Sequence, residues 1–361
     1  MFIICITIYF ALIILSLLII PSKKNNSKIL GNISILTITI MCCLLNYYCT
    51  ITSIQMGSDR YNYYLSFLGI KGTSIGLQYV FNFTKIFTKN INAVFYFTTF
   101  ITIYITIYAF NKIKQANKYT LLFLLLTDYV FFSFTGLKQI YTCAIACLIY
   151  SIYFNSTIKH KHLINCVLIF IACMFHTTGF ILIPIYALFI ICERKNINIY
   201  KYLFLITILI IGFEKEMLFI AKIFGSILPS LSNKILDYFG ESSLHIDDGN
   251  SFLSFIKGFP FYLTTLISIT KYKEIKTKEE NYDKLLFLSI IGSVLYLCSV
   301  FSYWFHRFTI LFYLPIGTLF AVVLKHLKGK NKLLFCLAIY GSEAIILIRW
   351  LYLIYANYGG F

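Results

Sequence analysis

Apolar residues in this chain come in long blocks, with polar residues confined to the short gaps between them. A helix needs about 20 mostly apolar residues to cross a hydrocarbon layer. Blocks of that kind fall at 2–20, 30–51, 91–110, 119–135, 138–155, 199–217, 255–270, 285–303, 308–324 and 333–355. A further block, 163–191, is broken by His176-Thr177-Thr178-Gly179 and then by Pro184. It is long for one crossing and short for two.

The basic residues decide how that last block is threaded. Lys23, Lys24 and Lys28 fill one gap, Lys112, Lys114 and Lys118 the next, and Lys159 and Lys161 a third. Arg194, Lys195 and Lys201 follow, then Lys271, Lys273, Lys276, Lys278 and Lys284, then Lys325, Lys328, Lys330 and Lys332. Loops rich in Lys and Arg are retained on the cytoplasmic side. If all six gaps lie inside, the chain crosses an even number of times between residues 162 and 192. The block 163–191 is then a re-entrant hairpin with His176 near its tip, a geometry tolerated only where protein or water surrounds the irregular backbone. The alternative, one tilted span, reverses every later gap.

The expected architecture is an all-α polytopic protein with one integral membrane domain over residues 1–361. About ten transmembrane helices and the hairpin leave both termini outside. The outer segments are then 52–90, a tight corner at 136–138, 218–254 and a corner at 304–307. No internal repeat and no Gly/Ser linker is visible. The first block has no basic leader and no small-residue cleavage site, so it is expected to stay as the first span.

Composition agrees. The chain is 59% hydrophobic and only 12% charged, against about 25% charged in soluble proteins, which excludes a solvated globule. The net charge of +17 would suit a nucleic-acid partner only if gathered on one face; here it marks inner loops. The eleven cysteines form no paired CxxC framework, so neither a metal nor a cofactor is expected. Only four bases are arginine: Arg60, Arg194, Arg307 and Arg349. In a lysine-rich chain an arginine marks a place where a planar, bidentate donor is useful.

Four stations carry candidate chemistry. Asp59-Arg60, followed by Tyr61 and Tyr64, either forms an interfacial ion pair under an aromatic belt or presents Arg60 to an anionic headgroup, with Asp59 orienting it or acting as a base. Lys138-Gln139 opens an apolar helix; the lysine either snorkels or joins the helix N-terminus in holding an anion. His176 lies in an apolar block beside Thr177 and Thr178. It is either a satisfied structural histidine or, at membrane depth, a functional group. Trp304, His306 and Arg307 stand between two strong spans, where Arg307 is either an anchor or a phosphate ligand beside rings that suit sugars. Arg349 is expected to pair with Glu343 inside the last span. The acidic stretch of 218–254, with Asp247 and Asp248, reads as a solvated loop or a mobile substrate segment.

In this order the stations resemble the EpsG branch of the Wzy-type polysaccharide polymerases. The matching segments are Gly57–Tyr64, Gly76–Tyr79, Lys138-Gln139, Lys159–His162, Phe175–Thr178 and Arg307-Phe308. Two departures stand out: the family's usual arginine before glutamine is Lys138, and its usual glutamate near position 76 is absent. The resemblance implies a fold like the membrane glycosyltransferases that use lipid donors. It implies a bacterial inner-membrane enzyme that joins oligosaccharide units carried on polyprenyl diphosphate at the outer face, in O-antigen, capsule or exopolysaccharide synthesis. A chain-length regulator and a flippase are its implied partners. Asp59, Arg60, Lys138, His176 and Arg307 are the implied catalytic groups, with Tyr61, Tyr64, Gln139, Thr177, Trp304 and His306 against substrate. The rival classes are a flippase for the same lipid and a membrane acyltransferase.

Overall fold

The helices that form are those whose apolar side chains have somewhere to go. This computed structural model describes residues 28–52, 58–127, 129–155, 157–195, 255–299 and 303–358, together with Thr7, Ala11 and Ile14. Among the described residues there is no strand. The helices are α1 (Lys28–Thr52), α2 (Ser58–Phe67), α3 (Ile75–Phe87), α4 (Ile91–Lys112), α5 (Lys118–Leu126), α6 (Tyr129–Thr135), α7 (Leu137–Phe154), α8 (Lys161–Phe175) and α9 (Leu182–Lys195). After the undescribed segment come α10 (Phe259–Thr270), α11 (Tyr272–Lys276), α12 (Tyr282–Cys298), α13 (Tyr303–Thr309), α14 (Tyr313–His326) and α15 (Gly329–Tyr358). The expected spans 2–20 and 199–217 and the loop 218–254 lie outside the described residues, apart from the three N-terminal positions.

Among the described residues, three stretches are long and apolar enough to cross a bilayer: Ile91–Lys112, Leu137–Phe154 and Phe305–His326. All three fall on expected spans. The third takes in Arg307, so the expected corner at 304–307 is helical and Arg307 sits near the start of the apolar run. The expected span 119–135 is instead two short helices, α5 and α6. Thr127 ends the first, its hydroxyl bonding back to the Leu124 carbonyl at 2.9 Å, the local competition that Thr offers to helix continuation. The stretch 52–90, read as an outer loop, contains the helices α2 and α3.

Helix α4 buries a row of threonines among its apolar residues and exposes aromatic rings. Thr98, Thr99, Thr102 and Thr106 are buried, while Phe100, Tyr104 and Tyr108 are exposed. Thr102 and Thr106 satisfy their hydroxyls on the carbonyls four residues back, at 2.7 and 2.8 Å. On α1, Leu36, Ile40, Leu44 and Tyr47 form an exposed stripe of helical spacing. In water such contiguous apolar surface is an aggregation hazard; against lipid tails it is the stable arrangement. The protein is a helical membrane protein.

The chain divides into two compact units, Met1–Ile185 with Phe320–Phe361, and Tyr186–Leu319. In the first, α4 and α7 pack side by side, with Val94 and Phe95 of α4 in the same buried cluster as Leu137 and Tyr141 of α7. The N-termini of the two helices therefore share one end, and their C-termini, with Lys112 and Phe154, the other. Helix α8 runs back: Tyr141 stacks on Phe175 at 4.4 Å, and the Thr142 hydroxyl donates to the Ala172 carbonyl at 3.1 Å. In the second unit, Thr265 of α10 bonds Ser293 of α12 at 2.8 Å. Gly292 lets the same helix close on Phe312 and Ile316, where a Cβ would lie 2.7 Å from the Phe312 Cβ.

Candidate active site

Arg60 is a buried cation of the first unit. Helix α2 turns Arg60, Tyr63 and Phe67 inward at i, i+3 and i+7, and all three are buried. The Arg60 Nε donates to the Phe134 carbonyl at 3.3 Å and its Nη2 to the Asn46 Oδ1 at 3.3 Å. Its Cζ stands 4.3 Å from the centre of the Phe95 ring. One planar fork thereby ties α2 to α1, α4 and the end of α6, a use of arginine that lysine does not reproduce.

Behind the guanidinium runs a buried polar relay. The Asn46 amide donates to the Thr99 Oγ1 at 2.8 Å and to the Phe95 carbonyl at 3.2 Å. The Thr99 hydroxyl donates to the Ser133 carbonyl at 3.2 Å, and the Ser133 hydroxyl to the Val130 carbonyl at 2.6 Å. Phe134 lies two residues before Gly136, which opens α7. The relay therefore fixes the corner from which Lys138 projects.

Lys138 is half-buried, in the first turn of α7, and its Nζ lies 5.9 Å from the centre of the Tyr63 ring. Tyr63 meets Phe95 edge-on with 6.4 Å between centroids. The two cations Arg60 and Lys138 are thus joined through two aromatic rings at one end of the unit. Gln139 is almost fully buried and faces the interior beside Lys138.

His176 sits at the same end, where α8 stops. Its backbone is extended, at φ −151° and ψ 146°, and it caps a 3-10 turn, Thr177–Ile181. The Thr178 N–H donates to His176 Nδ1 at 3.1 Å, and the Thr178 hydroxyl lies 3.0 Å from the same nitrogen. A nitrogen that accepts a backbone N–H holds no proton of its own, so hydrogen bonding assigns the neutral ring's proton to Nε2. His176 is set up as a donor through Nε2; accepting a proton there means surrendering the cap. Thr178 is buried, whereas Thr177 is exposed. Gly179 closes the turn against the α8 backbone: a Cβ would lie 2.9 Å from the Ala172 carbonyl carbon and 2.9 Å from the Cys173 nitrogen.

Of the other expected residues, Tyr61 and Tyr64 point away from this cluster, at 66% and 44% exposed. Tyr63 is the inward tyrosine, and the 60/63/67 helical spacing is the signal that identifies it. Asp59 lies in the first turn of α2, its side chain outside the described atoms, as are those of Trp304 and Arg349. Glu343, expected to pair with Arg349, is buried at 3%. Arg307 and His306 belong to the second unit, both half-buried on α13. His306 stands edge-on to Tyr296 at 5.3 Å, and Tyr296 in turn packs on Phe261 at 4.8 Å. Asn46, Phe95, Thr99 and Ser133 escaped sequence reasoning, since each is an ordinary residue within an apolar block. Among the described residues, no group of three His, Cys, Asp or Glu side chains gathers at metal-binding distance.

Compared with known proteins, residues 49–359 match the family model described as the EpsG family. No curated protein and no solved structure matches the chain.

Proposed function

The chain belongs to the EpsG family, and on that premise we propose that it is a membrane glycosyltransferase that polymerises oligosaccharide repeat units. The units are carried on polyprenyl diphosphate and joined at the outer face of the bacterial inner membrane. The observation that carries the proposal is the meeting of Arg60, Tyr63, Lys138 and His176 at one end of the first unit. The basic gaps Lys112–Lys118 and Lys159–Lys161 adjoin its other end, which by the positive-inside rule is cytoplasmic.

A hydroxyl of the incoming unit attacks the anomeric carbon of the growing chain. The bond from that carbon to the diphosphate oxygen breaks, and the polyprenyl diphosphate leaves with the electron pair. Lys138, in the first turn of α7, meets the charge developing on the leaving group. The His176 Nε2–H donates a hydrogen bond to the same charge or to a sugar oxygen, keeping its proton. Arg60 is a positioning residue, holding the corner that aims Lys138, and Gln139 supports that corner from inside. The proton of the attacking hydroxyl goes to Asp59. Exposed Tyr61, Tyr64 and Thr177 form a rim for the sugars. The role of Arg307 towards diphosphate rests on the family's motif order, and those of Trp304 and His306 towards sugar on ring-bearing residues standing next to it in the sequence. The block 163–191, broken at His176, is the re-entrant hairpin of this topology.

Lys138→Ala tests the reading. Long-chain polymer is expected to vanish and lipid capped with a single unit to accumulate, with the protein still in the membrane. Lys138→Arg, which keeps the charge, is expected to retain the polymer ladder. Normal ladders in the alanine variant overturn the assignment. Accumulation of cytoplasm-facing lipid-linked units points to a flippase instead, and long chains lacking acyl groups to an acyltransferase.

A further inference from the structure

Helix α3 divides its surface three ways. Gly76, Leu77, Val80, Phe81 and Thr84 are buried against the unit. Gln78, Asn82 and Lys85 share an exposed polar sector, at i, i+4 and i+7. Ile75, Tyr79, Phe83 and Ile86 form a third sector, exposed and apolar, with Tyr79 at 67% and Ile86 at 75%. Packing fixes these sectors in space. Gly76 sits on the Phe175 ring, where a Cβ would lie 2.8 Å away, and Phe81 meets Phe67 edge-on at 5.6 Å.

Its neighbours put α3 at the end of the unit. Leu77, Val80 and Phe81 share a buried cluster with Val94 and Phe95 of α4 and with Leu137 and Tyr141 of α7, all in the first two turns of those helices. Phe175 is the last residue of α8. Only Thr88, Lys89 and Asn90 separate α3 from α4, and three residues reach about 10 Å at most. Helix α4 is long and apolar enough to cross a bilayer, so its first turn, and α3 with it, stand at a membrane boundary. Thirteen residues rise only about 20 Å, too little to cross about 30 Å of hydrocarbon. The apolar sector is also continuous with a lipid-facing surface: Phe83 packs on Phe97 at 5.5 Å, and the exposed Phe100 and Tyr104 of α4 follow Phe97 at helical spacing.

We propose that α3 lies in the plane of the membrane interface on the side of Lys138, with Ile75, Tyr79, Phe83 and Ile86 among the acyl chains of bilayer phospholipid and Gln78, Asn82 and Lys85 at the head groups. A helix with one polar and one apolar exposed sector holds to a leaflet through the apolar area that it buries there. Lys85 fits the placement: its Nζ stands 4.9 Å over the Phe67 ring, on the polar side, as a lysine does when its stem lies on apolar surface and its head meets phosphate. The segment 58–90 is then anchored in the interface and is no free aqueous loop. The placement stands apart from the polymerase reading, since it calls on ordinary bilayer lipid and on no donor.

The first test uses the full-length protein in phosphatidylcholine vesicles that contain a phosphatidylcholine with a diazirine near the glycerol end of one acyl chain. Photolysis is expected to label the peptide 75–87 on Tyr79, Phe83 or Ile86, while a water-soluble amine reagent modifies Lys85 in the same vesicles. Absence of acyl label with ready oxidation of Tyr79 and Phe83 by hydroxyl radicals makes the segment an aqueous loop and overturns the proposal. Protection from both reagents overturns it in favour of a protein partner over that face, and acyl label with an unreactive Lys85 overturns the in-plane placement. The second test pairs Ile86→Gln with Asn82→Gln, both at exposed positions. Glutamine is a better helix former than isoleucine or asparagine, so in water neither variant would melt below the wild type. In the interface, Ile86→Gln alone is expected to lower the thermal midpoint of the vesicle-bound protein by several degrees. Equal midpoints for the two variants overturn the proposal.

Discussion

Arg60 shows how a charge in an apolar chain acquires a structural task. Its two hydrogen bonds diverge, to Phe134 and to Asn46, and its flat face covers Phe95. An ammonium at the same place keeps the charge and one bond but not the fork. Arg60→Lys is therefore expected to cost about 2 kcal/mol, the worth of one hydrogen bond to a charged group, seen as a lower thermal midpoint of the detergent-solubilised protein. If Arg60 were instead a free phosphate ligand, the lysine variant would melt with the wild type and lose only activity. The sequence flagged Arg60, Lys138 and His176 because ionisable groups stand out among Ile and Phe. It did not flag Asn46, Thr99 or Ser133, whose importance arises only when α1, α4 and α6 meet. Tyr63 was hidden for another reason: with 52–90 read as a loop, no helical period existed to separate it from Tyr61 and Tyr64.

The same contrast holds for whole segments. Long uniform blocks such as Ile91–Lys112 and Leu137–Phe154 were legible because length and hydropathy alone define them. Short amphipathic helices were not, since α2 and α3 depend on the surface they cover. The break at His176 was visible as His-Thr-Thr-Gly, but what holds it was not. Thr178 caps it through the imidazole, and Gly179 lies on the backbone of α8, where neither atom facing a Cβ can move aside. At Gly76 the obstacle is a side chain, the Phe175 ring, which can tilt. Gly179→Ala is therefore expected to destabilise by about 1–3 kcal/mol, the usual cost of overpacking, and by more than Gly76→Ala. Parallel melts of the two variants decide the order, and equal midpoints would mean that the turn at 176–181 is not held against α8 as described.

Charge and geometry together support the end of the first unit that the proposed function expects outside. Helix α4, with 22 residues, rises about 33 Å, about the thickness of a hydrocarbon layer, with Lys112 in its last turn and Phe95, which Arg60 covers, near its first. Helix α7 lies alongside in the same direction, so the gap with Lys159 and Lys161 joins Lys112, Lys114 and Lys118. Five lysines at one end are a strong retention signal on the cytoplasmic side. Arg60, Lys138 and His176 at the other end are fewer, and each is held by a ring, a helix terminus or a cap. Reporter fusions check the orientation: green fluorescent protein joined after residue 117 or 156 is expected to fluoresce, and alkaline phosphatase joined after residue 72 to be active. The reverse pattern would place Lys138 and His176 in the cytoplasm. There the local concentration of Lys112–Lys161 would have been exported against its charge, and the lipid-linked donor would have to be polymerised before it crossed the membrane.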